Sequence, residues 1–207
     1  MNVGNWNTNV SVGSMPQKVA TACGQLNELV GAEYTPIAYL GSQQVNGVNH
    51  AVLAEQTILT GKDVKNIVVL IFRETKEGAT LANIERVVES GGELGGAQVE
   101  ARTEIPEEAR KAFNAAFAGF TGSKVEPFAL LATQVVKGVN YVFAAEISPV
   151  VANPVKSVAL VTVNALTKDV AFVDLLTSKH DVMSLGYAFT WLRNQNTSLG
   201  KPLGEWP

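Results

Sequence analysis

The sequence predicts an α+β protein: two tandem units, each one helix packed on an antiparallel β-sheet meander, plus a C-terminal extension. Three observations carry this. Gln43-Gln44-Val45-Asn46-Gly47-Val48-Asn49-His50 and Gln134-Val135-Val136-Lys137-Gly138-Val139-Asn140-Tyr141 are near copies, 134 − 43 = 91 residues apart. An amphipathic helical stripe precedes each copy, and β-forming runs joined by a glycine-containing turn make up the rest. The expected domains are residues 1–90, residues 91–177, and a C-terminal helix and extended tail over 178–207.

A repeat at a fixed offset governs every later assignment. Pro36/Pro127, Ala38/Ala129, Leu40/Leu131, Gln43/Gln134, Val45/Val136, Gly47/Gly138, Asn49/Asn140 and Glu55/Glu146 all coincide at the same spacing. The register persists into Val64-Lys65-Asn66-Ile67 against Val155-Lys156-Ser157-Val158. Two unrelated strand pairs would not keep one offset across a loop, so a single module has been duplicated.

In the first unit Val19, Cys23, Leu26, Leu29 and Val30 recur at the spacing of one helix face, between Pro16 and Gly31. Residues 37–44 and 48–56 read as a hairpin and 67–72 as a further strand. Residues 79–90 fit a helix as well as a strand, because Leu81, Ile84, Val87 and Val88 satisfy both patterns. Gly91, Gly92, Gly95 and Gly96 offer a flexible link. The second helix stripe is Ala109, Ala112, Phe113, Ala116, Phe117 and Phe120, with Glu107 and Glu108 at the positive end of its dipole. Strands follow over 158–163 and 170–175. Residues 181–195 could form a short helix before the Gly/Pro-interrupted tail.

Composition bounds the function. With 46% hydrophobic and 17% charged residues the chain is globular and carries a real core. A net charge of −3 with scattered Lys and Arg gives no basic stripe for nucleic acid. No apolar run approaches the ~18 residues of a membrane span. The first residues lack a secretory pattern, and Cys23 is the single cysteine, which suits a reducing compartment; the expected location is the cytoplasm. Cys23 lies on a buried stripe. His50 and His180 have no acidic or cysteine neighbours at metal-ligand spacing, and the glycine pairs lack the Lys-Ser/Thr of a phosphate loop. The expectation is a protein without catalysis, metal or cofactor.

Each copied segment reads Gln-x-Val-x-Gly, and the order of elements resembles the cystatin superfamily. The second unit is most similar to its stefin branch, which has neither disulfides nor signal peptides. The resemblance implies a reversible protein inhibitor that plugs the cleft of a papain-like cysteine protease with a wedge of three elements. By position these are a glycine trunk (Gly13 in the first unit, Gly95 and Gly96 in the second), a first hairpin (Gln43, Val45, Gly47; Gln134, Val135, Val136, Lys137, Gly138) and a second hairpin near 74–78 or 165–169. The chain departs from the family in lacking a Pro-Trp pair in either second hairpin, and Glu74-Thr75-Lys76-Glu77 is polar. Trunk and hairpin are 43 − 13 = 30 residues apart in the first unit and 134 − 96 = 38 in the second, which favours the second as the active one. The alternative is a non-inhibitory structural protein of a large assembly such as a virus particle. There copies of the chain or other subunits would be the partners, and Trp191 and Trp206 the assembly contacts.

Overall fold

The computed structural model describes residues 4–28, 31–60, 64–91 and 96–176. The elements run β1 (Trp6–Val12), α1 (Gln17–Leu26), β2 (Ala32–Val45), β3 (Gly47–Ile58), β4 (Val64–Glu74) and β5 (Ala79–Glu89). They continue with β6 (Ala97–Arg102), α2 (Glu107–Ala116), β7 (Ser123–Val136), β8 (Gly138–Pro149), β9 (Ser157–Asn164) and β10 (Val170–Asp174). Two antiparallel five-stranded sheets result, ordered β1-β2-β3-β4-β5 and β10-β9-β8-β7-β6.

This corrects the expected fold class. The described chain is mostly β, with two helices of ten residues each, and does not fit a pair of cystatin-like helix-on-sheet units. The physical reason is that each sheet buries both faces. Val52, Val68, Leu70 and Phe72 pack with Val19 and Cys23 of α1 on one face of the first sheet. On its other face Leu40, Leu53, Ile67 and Val69 meet Leu131, Val142, Val158 and Leu160 of the second sheet in one continuous core. Ala109 and Phe113 of α2 cover the outer face of that second sheet, against Phe143 and Val161. The layers are therefore helix, sheet, sheet, helix. Strands covered on both sides read as unbroken apolar runs rather than alternating ones, and residues 67–72 and 158–163 are such runs.

The duplication extends to irregularities of the backbone. Shifted by 91, β2 becomes β7 (32 + 91 = 123; 45 + 91 = 136) and β3 becomes β8 (47 + 91 = 138; 58 + 91 = 149). The β2–β3 ladder shifts register between Pro36 and Ala38 and again between Tyr39 and Gly41; the β7–β8 ladder does so at Pro127/Ala129 and Leu130/Ala132, the same positions. Strands β1 and β6 also correspond: Trp6 pairs with Gln43 and Ala97 with Gln134.

The link between the sheets sets their mutual direction. Glu89, at the end of β5, pairs with Asn66, away from the β2–β3 turn. Ala97, at the start of β6, pairs with Gln134, beside the β7–β8 turn. Gly91 N–H donates to Ala97 O at 3.1 Å, and a Cβ on Gly91 would lie 2.6 Å from Gly96 Cα. The far end of the first sheet thus meets the turn end of the second, and the two β-turn ends point opposite ways. Among the described residues no helix is long and apolar enough to cross a membrane. The predicted helix over 181–195, His180, Trp191 and Trp206 lie outside the described residues.

Candidate protein-binding tips

At the turn end of the second sheet, β7 and β8 are joined through the Val136–Gly138 pair with Lys137 at the apex. Gly138 has φ 93°, a conformation that side chains resist, and a Cβ there would lie 2.8 Å from Leu166 Cβ. The glycine therefore lets the β7–β8 turn lie directly against the β9–β10 turn, residues 165–169. A polar ladder holds the two together. Asn140 Nδ2 donates to Gln134 Oε1 at 3.0 Å, and Asn164 Nδ2 donates to Asn140 Oδ1 at 2.7 Å and to Lys137 O at 3.3 Å. Asn164 Oδ1 accepts from the backbone N–H groups of Leu166 and Thr167 at 3.0 and 2.9 Å.

On this fixed frame Val135 is 68% exposed, Val136 42% and Leu166 62%. Gly96 lies at the same end, next to the Ala97–Gln134 pair. The structure thus brings together Gly96, the β7–β8 turn and the β9–β10 turn, three segments far apart in sequence. Gly95 lies outside the described residues. Gln134 is buried, so its amide serves the ladder and not the surface.

The first unit repeats the frame with different chemistry. Gln43 Nε2 donates to Gly4 O at 2.7 Å, and Gly4 N–H donates to Gln44 O at 3.0 Å. The glycine at this tip is therefore Gly4. Gly13 follows Val12, which pairs with Ala38, so the structure leaves it away from Gln43. Counted from Gly4 the spacing to Gln43 is 43 − 4 = 39, and counted from Gly95 the spacing to Gln134 is 134 − 95 = 39, equal in both units. Sequence reading missed Gly4 because it lies outside the compared segments, although the constant offset could have found it. Val45 is half-buried and Asn46 and Gly47 are exposed; Lys76 and Glu77 of the adjacent turn make this tip polar.

The structure also joins residues that the sequence kept apart. The Tyr39 hydroxyl donates to His50 Nδ1 at 2.9 Å, and His50 Nε2–H donates to Glu74 Oε2 at 2.9 Å. Lys18 Nζ lies 2.9 Å from Glu74 Oε1 and donates to Thr75 O at 2.9 Å. The hydrogen bond from Lys18 is the chief cause that holds the Glu74 carboxyl below its ordinary range, with His50 adding to it. His50 thus has an acidic partner that is distant in sequence. Glu74 is 74 − 50 = 24 residues away and arrives through the β3–β4 pairing. Cys23 is buried in the α1 layer, and desolvation pushes its thiol to about 11, so thiolate is scarce at neutral pH. Among the described residues no cluster of three His, Cys, Asp or Glu side chains could hold a metal ion.

No protein-family model, no curated protein and no solved structure matches this chain.

Proposed function

We propose that this protein is a reversible, non-enzymatic inhibitor that inserts the tip of its second unit into the active-site cleft of a papain-like cysteine protease. The observation that carries the reading is the exposed Val135, Val136 and Leu166 on two turns fixed by Asn164. Apolar side chains on a pre-formed turn suit a partner with a concave, mostly apolar cleft. Little ordering entropy is lost on docking, because the ladder already holds the turns. The choice of a cysteine protease rests on the Gln-x-Val-x-Gly pattern in this turn. Occlusion needs no proton transfer and no cofactor, and a cytoplasmic target fits the single buried cysteine. The roles divide within the motif: Val135, Val136 and Lys137 meet the partner, while Gln134 and Gly138 shape the turn.

The test is titration of papain with the purified chain and with Val135→Asp and Val136→Asp. These positions are exposed, so both variants keep the fold while presenting a charge to an apolar cleft. Each is expected to weaken inhibition at least about thirtyfold, the ratio that 2 kcal/mol corresponds to. Equal inhibition by wild type and variants rejects the wedge.

A second reading, a structural protein of a large assembly such as a virion, draws on a separate observation. The two tips point opposite ways, and the β8–β9 connection exposes Val150, Val151 and Val155 at 70%, 61% and 79%. A molecule with contact surfaces at both ends suits a bridge between copies or other subunits. Sedimentation of the full chain and of a chain lacking residues 178–207 separates the readings: an oligomer lost on truncation favours assembly, and an unchanged monomer opposes it.

A further inference from the structure

The two units differ at one polar cluster, in which His50 is buried while Glu74 is partly and Lys18 largely open to solvent. In the first, Glu74 ends β4 and accepts from Lys18 of α1 through one carboxylate oxygen and from His50 of β3 through the other. Lys18 also reaches Thr75 O at the start of the β4–β5 turn. His50 is 6% exposed, and its second ring nitrogen accepts from Tyr39 of β2. One carboxylate therefore ties the helix and the β4–β5 turn to the strand that leaves the β2–β3 turn. In the second unit, 91 residues on, the corresponding residues are Ala109, Leu130, Tyr141 and Ala165. There apolar and aromatic contacts replace the cluster: Phe143 packs against Tyr141 at 6.3 Å and against Phe113 of α2 at 5.1 Å between ring centres.

We propose that the Lys18–Glu74–His50 cluster is an acid-releasable clamp, which frees α1 and the β4–β5 turn of the first unit on acidification while the second unit stays closed. The groups facing Glu74 are Lys18 from α1 and His50 from β3, with Tyr39 from β2 behind the ring. In either charge state of the ring, Nε2–H donates to the carboxylate, so charging His50 alone does not open the contact. Protonating Glu74 does. The carboxyl then carries no charge for Lys18 to pair with, and its acceptor capacity is reduced. The folded carboxyl titrates below its unfolded counterpart, so the clamp holds above the ordinary carboxylate range and is lost as pH falls through the folded value. The duplicated pairs Lys65–Glu55 and Lys156–Glu146 occupy matching positions in the two units, although Glu55 also accepts from Ala101 N–H.

The experiment is hydrogen exchange on the full chain from pH 7 to pH 3, corrected for intrinsic rates, with Glu74→Gln measured at pH 7. Amides of residues 17–26 and 75–78 are expected to lose at least about tenfold in protection on acidification, against less than about twofold at 107–116 and 165–169. Glu74→Gln is expected to show the low-pH pattern already at pH 7. Equal loss in both units, or retention of protection at 17–26, overturns the clamp. Should Glu74→Gln fail to fold, the wild-type comparison between α1 and α2 decides the matter alone.

Discussion

Replacing Asn164 by Ala tests whether the polar ladder holds the second tip in shape. Asn164 is 4% exposed and its side chain makes four hydrogen bonds, to Asn140, Lys137, Leu166 and Thr167. Alanine leaves Asn140 Oδ1 without this donor inside a residue that is 1% exposed, at a cost of about 1–3 kcal/mol. The three backbone groups at the turn are half-exposed and recover water, so each loses only about 0.5 kcal/mol. The sum is about 2.5–4.5 kcal/mol. The matching position in the first unit is Arg73, whose Nε makes one exposed bond of 3.3 Å to Asn49 Oδ1, and Arg73→Ala is expected to cost less than about 1 kcal/mol. Urea unfolding of the three proteins, compared at equal m-values, gives both numbers. Inhibition of papain by Asn164→Ala should also weaken, although Val135 and Val136 are untouched, because the turns must then order on binding. A loss below about 0.5 kcal/mol, or equal losses for the two variants, refutes the reasoning.

Three further predictions concern the frame. Leu53 and Leu131 are fully buried in the core shared by the sheets, so Leu53→Ala and Leu131→Ala should each lower one common unfolding transition by about 2–5 kcal/mol; two separate transitions in calorimetry would contradict a shared core. Cys23 should react with a thiol reagent at pH 8 at least about a hundredfold more slowly in the native chain than in urea, and rapid stoichiometric labelling of folded protein would show the burial to be wrong. The Glu74 contribution to stability should be complete above the ordinary carboxylate range and vanish as pH falls below it, so wild type and Glu74→Gln should converge in acid; a gap that widens on acidification has the opposite sign.

Much of the strand pattern was legible because the repeat pinned it. The Gly47 and Gly138 turns, the strands around them and both helix stripes follow from local spacing. Residues 79–90 were not decidable, and the reason is visible in β5. Its pairing with β4 shifts register between Leu81 and Asn83 and between Arg86 and Val88. The first bulge adds Ala82 between Leu81 and Asn83, which stretches an alternation of two into the three-residue step from Leu81 to Ile84 that imitates a helix, while Val87 is the extra residue of the second bulge and packs on the opposite face. β1 was hidden differently: an edge strand of Trp, Asn, Thr, Ser and Val lacks the apolar density of a central one. β6 does alternate, with Ala97 and Val99 buried and Gln98 and Glu100 exposed, but six residues after a glycine run are a weak signal. The sheet-on-sheet core left its mark in the unbroken apolar runs, yet each run was assigned only a helix as cover.

At the site, the pairing of Val135 and Val136 with Leu166 could be placed only roughly, since nothing local in the sequence fixes which turns touch. Gly13 was expected beside Gln43, but the β1–β2 pairing puts Gly4 there, a position the 91-residue offset from Gly95 also indicates. The Lys18–Glu74–His50 cluster was illegible, because its members come from three elements and meet through the β3–β4 register and the packing of α1.

Titration of papain with wild type, Val135→Asp and Val136→Asp tests the central claim most directly. Stoichiometric, reversible inhibition by the wild type, weakened in both variants while Val45→Asp in the first unit has little effect, is the predicted result. A folded wild type that leaves papain fully active contradicts the claim.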